Sequence, residues 1–312
     1  MALPDAPTTP RHLLIAPDRL VLVGTEGDIT HLHPDRMILI DPPRRPFSGD
    51  VTQAALLDAD HLAATWVERE IGIARMAVLD LSQPLQDGPD LPTLRAALDA
   101  NQLDNHQVAG AIWSHVLDAE PLALCAHEGD LVFCTHRRGL YRVKADSNEV
   151  WRRKALEWPE LSDLPDGSVV VEIISTEDSI WVFSLGGGYA ELNAADGEII
   201  EQGILRFKAK VERVWHGEGE WMFGLSHKKI ARWQPEQGIS KILFTTGPVQ
   251  HAIWHGREWW MTGWREDLIW DQEGLRRKPR PEIGIHLLRH PDHGPMVLDN
   301  IGQWSPFRFS SD

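Results

Sequence analysis

Short strands in groups of four, recurring about every 40 residues, predict an all-β chain folded as a seven-bladed β-propeller of four-stranded antiparallel blades. Three observations carry that prediction. The stretch Gly129 to Trp151 holds an apolar run at Leu131 to Phe133, a polar break at His136 to Gly139, alternation through Leu140, Arg142 and Val143, a turn at Asp146 to Glu149 and a new run from Val150. That is strand, loop, strand, hairpin, strand. The plan returns at Asp178 to Ile200, with Ile180 in the place of Leu131 and Gly188 in that of Gly139, and again from Glu220, with Trp221 for Ile180 and Gly238 for Gly197. One such sheet cannot bury both of its faces alone; stacking sheets radially gives each face a neighbour.

In chain order, Met1 to Pro10 carries three prolines and no apolar periodicity, and reads as a loose tail ahead of a single propeller domain spanning 11–312. Blade one is expected from His12 to Ala16, Leu20 to Gly24, the strand from Ile29 and MILID from Met37. Blade two follows from Ala54, Leu62, Ile71 and Met76. The period then lengthens by roughly thirty residues. Within this insertion, about 82–110, Leu91, Leu94 and Leu98 recur at helical spacing, Pro92 suits a first turn and Asp90 can cap it. A short helical insertion between blades two and three is expected, its leucines packing on the protein's own blades in preference to a partner. Blade three runs from about Ala111 to Leu156, blade four from Val169 to Phe207, blade five from Val211 to Phe244 and blade six from Val249 to Arg280. Blade seven uses Gly284 to Leu288, Pro295 to Leu298, Ile301 to Trp304 and a last strand at FRFSS from Phe307. Because the N-terminal stretch is poor strand material, FRFSS is expected to finish the ring.

Composition narrows the classes of function. No apolar run approaches the length that spans a bilayer, and MALPDAPTTPRH has prolines and an acid where a leader needs a basic patch and an apolar core, so no membrane and a cytoplasmic address are expected. Lys plus Arg number 31 against 46 Asp plus Glu, a formal charge of −15, which repels nucleic acid. Of 14 Trp, Trp181, Trp221 and Trp259 fall at equivalent repeat positions, with Trp260 beside the last, which favours packing between adjacent sheets over a ligand cage. Cys125 and Cys134 flank one tight turn and read as buried thiols. One fold unit and a monomer are expected.

From Gly129 to Trp151, the succession of Gly-Asp, an apolar run, Gly139-Leu140-Tyr141, an acid-containing turn and a Trp resembles the quinoprotein-like and WD-repeat group of β-propellers. The resemblance implies the fold and leaves the chemistry open. It supplies no residues for a quinone site, and no blade carries the Gly-His and Trp-Asp pair; Trp270-Asp271 stands alone. No sialidase-type aspartate box, Gly-x-Ser-x-Gly, phosphate-binding loop, CxxC or HExxH is present, so no cofactor is expected and the reading leans away from an enzyme.

In a propeller, the loops between second and third strands share one face with the links between blades. Those loops place His136, Arg137 and Arg138 on blade three, His227, Lys228 and Lys229 on blade five and Arg265 on blade six, with Gly186, Gly187 and Gly188 between them. The functional reading is a docking site for a protein, an acidic peptide or a phosphate-bearing ligand; the plain alternative is solvated turns. On the opposite face, turns after the innermost strands carry His127, His216, His255 and His290, with His293 nearby, and imidazoles converging on a channel mouth would suit a transition metal. The sequence thus supports a non-enzymatic scaffold, with a propeller enzyme or a metal or small-ligand binder as the alternative.

Overall fold

Strands such as LVLVG and SIWVFS offer no polar face, so each must be covered on both sides, and the computed structural model, which describes residues 3–309, stacks them accordingly. Seven antiparallel sheets follow in chain order. Blade one is β1 (Pro10–Ile15), β2 (Leu20–Gly24) and β3 (Ile29–Leu32); blade two is β4 (Asp50–Leu56), β5 (His61–Glu68), β6 (Ile73–Asp80) and β7 (Ala111–Leu117), with α1 (Leu91–Asp99) in the excursion before β7. Blade three is β8 (Pro121–His127), β9 (Asp130–Thr135), β10 (Gly139–Val143) and β11 (Glu149–Arg153); blade four is β12 (Val170–Ser175), β13 (Ser179–Ser184), β14 (Gly188–Asn193) and β15 (Ile199–Ile204). Blade five is β16 (Val211–Gly217), β17 (Glu220–Leu225), β18 (Lys229–Gln234) and β19 (Gly238–Phe244); blade six is β20 (Val249–His255), β21 (Glu258–Gly263), β22 (Glu266–Trp270) and β23 (Leu275–Pro279). Blade seven is β24 (Gly284–His290), β25 (Gly294–Asp299) and β26 (Trp304–Pro306). First strands of successive blades touch, and β24 touches β1, so the sheets form a closed seven-bladed β-propeller.

Trp181, Trp221 and Trp259 lie between sheets, whereas Trp264 is exposed on its loop. Trp181 and Phe183 of blade four meet Trp221, Phe223 and Trp233 of blade five, with the Trp181 and Trp221 rings 5.0 Å apart. Trp259 packs with Met222 and Ile230 across the next boundary. Cys125 and Cys134 are free thiols; in the register of β8 and β9, Cys134 sits opposite Ala123 and Cys125 opposite Val132. Burial pushes the Cys134 thiol up to about 12.

The sequence reading is corrected at several places. Ile71 falls in a turn and Met76 inside β6, so the two strands of blade two expected from them are one. MILID forms no fourth strand in blade one: only isolated bridges, Leu32 to Leu39 and Ile29 to Arg44, line its edge. Met37 adopts a left-handed φ of 54° to reach the core, which breaks the alternation and leaves Ile38, Leu39 and Ile40 exposed. Ala111 to Leu117, expected to open blade three, pairs with β6 and forms the outer strand of blade two. The helix nevertheless sits where the period lengthens: Asp90 accepts from the Thr93 N–H at 3.0 Å, and Leu94 buries among Trp66, Ile73, Leu79 and Leu81 of blade two. FRFSS gives no outer strand among the described residues, and its Ser310 and Ser311 lie outside them. Pro306 ends β26, and Phe307 turns inward between Ile269, Leu287 and Val297 of blades six and seven. Finally, the N-terminal stretch is tied down, since the Ala6 N–H donates to the Gly302 carbonyl at 2.7 Å and Leu3 and Ala6 pack on the cluster joining blades seven and one.

That joint uses no shared strand among the described residues. Leu13, Leu20, Leu22 and Leu32 of blade one interdigitate with Leu288 and Leu298 of blade seven, the Leu13 N–H donates to His286 Nε2 at 3.0 Å, and His290 Nε2 meets the Asp35 carbonyl at 2.7 Å. The joint between blades six and seven differs: within blade six the Asp267 and Arg280 side chains, 0% and 1% exposed, pair at 2.8 Å, and this buried pair reaches blade seven through Arg280, which donates to Ser305 Oγ, and through the Arg308 N–H, which donates to Asp267.

Candidate functional site: the link face and the channel

A repeated hydrogen bond fixes the link face. In six blades the residue opening the loop between second and third strands donates its N–H to the carbonyl just ahead of a first strand: Thr25 to Thr9, His136 to Glu120, Leu185 to Val169, Ser226 to Lys210, Trp264 to Pro248 and Asn300 to Ile283. Loops and links are thereby laced together, as the sequence reading requires. The turns themselves differ in residue choice. Arg137, Lys228 and Arg265 take left-handed φ values of 59°, 58° and 56°, where blades one, four and seven use Gly27, Gly187 and Gly302. Such a conformation disfavours any residue with a Cβ.

The expected basic residues do not act as one set. Arg138 pairs with Asp118 at 3.1 Å, which neutralises it. Lys229 begins β18, and its ammonium lies 5.6 Å from the Phe244 ring on the outer strand, away from the turn tip. His136 and Arg137 line a cavity of about 400 Å³ between blades three and four, whose rim also carries Glu157 and Asp166. Arg137, Lys228 and Arg265 are exposed, with no acidic partner among the described residues. Gly186 to Gly188 leave no opening for a ligand: a Cβ on Gly186 would lie 2.8 Å from the Gly167 carbonyl, and one on Gly188 would lie 2.5 Å from the Trp158 ring. The chain's own link from blade three occupies that space.

Residues missed by the sequence reading complete the basic side. The link from β15 to β16 reads Arg206-Phe207-Lys208-Ala209-Lys210, and Arg206, Lys208 and Lys210 are exposed without an acidic partner among the described residues. With His227 they surround a cavity of about 590 Å³ between blades four and five, floored by Leu161, Leu164, Leu205 and Phe207, with the acid Glu160 also in its lining. Phe207 is anchored against Phe223, ring to ring at 4.8 Å, which turns the flanking cations outward.

The four opposite-face histidines occupy corresponding turns but are not brought together. His127 Nδ1 contacts Ser175 Oγ at 2.8 Å, and His216 accepts from the Gly219 N–H while stacking on Trp221. His255 lies beside Arg289 and Trp260, and His290 accepts from the Asp292 N–H. No three His, Cys, Asp or Glu side chains among the described residues converge as a metal site.

A second constellation, also missed, lines the channel. Every first strand carries a register shift at the same place, and the residues that resume pairing are His12, Gln53, Ala123, Glu172, Arg213, His251 and His286. A bulge re-aims the side chain next to it. Here those side chains reach the neighbouring first strand: His286 Nε2 accepts from Leu13 N–H, His251 Nδ1 from Leu287 N–H at 3.2 Å, and Gln53 donates to the Leu122 carbonyl at 3.1 Å. His12 likewise meets the Thr52 carbonyl, and Glu172 the Val214 N–H. Burial lowers His12 and His251 to about 4 and holds His286 well below its ordinary value. Burial also raises Glu172 to about 7 against the pull of Arg213. Arg213 adds its charge to His12, Glu172, His251 and His286, which belong to blades one, four, six and seven. A guanidinium from blade five is near all four only if it extends into the channel.

No protein-family model matches the chain, and no curated protein does. Similarity to solved structures extends over the whole ring. The β-propeller domain of Cps50 (Swd1) from Myceliophteria thermophila superposes with a TM-score of 0.68 at 11% identity, over 97% of this chain and 98% of that one. The WD40 β-propeller domain of Doa1 gives 0.66 at 10% identity over 97% and 94%, and BamB from Moraxella catarrhalis 0.59 at 9% over 99% of each. At such identities the likeness is one of fold: the chain is a seven-bladed β-propeller, of the shape shared by WD40 domains and BamB.

Proposed function

We propose that this protein is a non-enzymatic interaction scaffold whose link face docks an acidic segment of a protein partner at the cavity between blades four and five. The observation that carries this reading is the set Arg206, Lys208, Lys210, His227 and Lys228, gathered on two adjacent segments of a chain whose net charge is −15. An apolar floor under a cationic rim suits a peptide that presents one aliphatic or aromatic side chain flanked by carboxylates or phosphates. The solved WD40 domains of the same shape agree with an interaction role. Among the described residues no helix is long and apolar enough to cross a membrane, and a cytoplasmic partner belongs to the same proposal.

A synthetic peptide rich in Asp and Glu around one Leu, titrated by fluorescence anisotropy, tests the reading. Lys208→Glu with Lys210→Glu is expected to weaken binding by about 30-fold, at roughly 1 kcal/mol per contact. Equal affinity in the double variant, or no binding by the unaltered protein, overturns it.

A further inference from the structure

The channel ring holds more hydrogen-bond donors than the fold uses. Arg213 is exposed to the channel water, and among the described residues it has no carboxylate within ion-pair distance and no hydrogen-bond partner for its guanidinium. All five of its N–H donors are therefore unassigned. The two neighbouring imidazoles add to them by a tautomer argument. His286 Nε2 lies 3.0 Å from the Leu13 nitrogen and 3.3 Å from the Arg11 carbonyl; a backbone N–H can only donate, and the shorter of the two contacts makes Nε2 the acceptor, which puts the hydrogen of the neutral ring on Nδ1. His251 Nδ1, 3.2 Å from the Leu287 nitrogen, is an acceptor too, which puts its hydrogen on Nε2. The rings lie 4.9 Å apart, centroid to centroid, so these two N–H groups belong to one wall of the channel. On the next blade, His12 Nε2 is buried without a partner.

We infer that the channel is a binding site for a small oxyanion, held by the Arg213 guanidinium with the His251 Nε2–H and His286 Nδ1–H groups. A planar guanidinium matches two oxygens of a carboxylate or phosphate at once, and imidazole N–H groups supply further donors without adding charge. Gln53 is already bound to the Leu122 carbonyl, and Ala123 offers nothing, so the site is confined to the half of the ring formed by blades five, six, seven and one. Glu172 on blade four competes for Arg213, and the ligand gains most when that carboxyl is protonated. This site is independent of the docking cavity: its ligand is a free small anion, and its cation lies inside the ring.

The test is a titration with inorganic phosphate, and separately with acetate, read by the ring ¹⁵N and ¹H NMR signals of His251 and His286. Millimolar phosphate at pH 6 is expected to shift both signals, with affinity falling at least about tenfold in Arg213→Gln and unchanged in Lys208→Glu with Lys210→Glu. Arg213→Lys keeps the charge without the planar fork, and is expected to retain acetate binding while losing most of the phosphate preference. Silent His251 and His286 signals in the unaltered protein overturn the assignment, whatever the variants do. A response to Zn²⁺ in place of either anion, or undiminished binding in folded Arg213→Gln, also overturns it. Loss confined to the double lysine variant would place the anion on the link face.

Discussion

Two groups of cations without acidic partners among the described residues, one on the link face and one in the channel, have surroundings that make them different objects. Arg206, Lys208, Lys210 and Lys228 stand in open water on the link face, whereas Arg213 stands inside the ring of first strands. On the face, each charge is worth at most about 1 kcal/mol and is screened beyond roughly 8 Å at physiological salt. In the channel, protein replaces most of the water, and one guanidinium is felt by groups on four other blades. The face has to act by number, the channel by enclosure.

Acid is the strongest way to separate them. His12, His251 and His286 have folded pKa values below the ordinary 6.5, so the unfolded chain binds more protons beneath pH 6.5 and the ring loses stability as pH falls toward 4. Glu172, raised from 4.5 to about 7, acts in the other sense, with its contribution fully present below pH 4.5 and lost as pH rises through 7. Between pH 6.5 and 4.5 the balance is about two protons, a loss on the order of 2 to 3 kcal/mol per pH unit from the ring. Urea denaturation across that window is expected to show this slope in the unaltered protein and a slightly shallower one in Arg213→Gln, since burial, the larger cause of the histidine shifts, remains; equal slopes would mean that enclosure does not amplify the charge.

Part of that slope is expected to go in His251→Gln, whose amide oxygen can still accept from the Leu287 N–H but does not titrate. It removes about one proton from the same slope, roughly 1.4 kcal/mol per pH unit, and a variant indistinguishable from the unaltered protein would take His251 out of the ring. Smallest is the effect of salt. Raising ionic strength from about 0.05 to 0.5 M is expected to weaken acidic-peptide binding at the face about tenfold while leaving the phosphate-induced shift of His286 nearly unchanged. Parallel salt dependence at both places would erase the distinction.

How much of this could be read from the chain depended on periodicity. The middle strands were legible because nothing but a doubly covered sheet accommodates runs such as EWMFGL, which is buried throughout. Blade one's outer edge was not, because MILID is an apolar run that suits a strand, and only the left-handed turn at Met37 spoils it. The basic turns were legible by residue type, but the pairing of Arg138 with Asp118 is a meeting of two segments that no spacing announces. Arg206 to Lys210 lay in plain view next to Val211 and went unused, since links were read as connectors. The channel ring was the hardest. A polar residue ahead of an apolar pair, as in RHLL, VEII, QHAI and IHLL, reads as the wet side of a strand until the bulge beside it is seen.

The joint between blades seven and one has a mechanical consequence. A shared strand would spread tension over a ladder of backbone hydrogen bonds acting together, but here, among the described residues, the load falls on an aliphatic contact, the Ala6 link to Gly302, the Leu13 link to His286 and the His290 link to Asp35. Blades six and seven resist the same pull with the covalent link between them and with the hydrogen bonds that the buried Asp267–Arg280 pair makes to Ser305 and to the Arg308 N–H. Under force this ring has a seam, and its first tear runs through His286, the residue that also faces the anion.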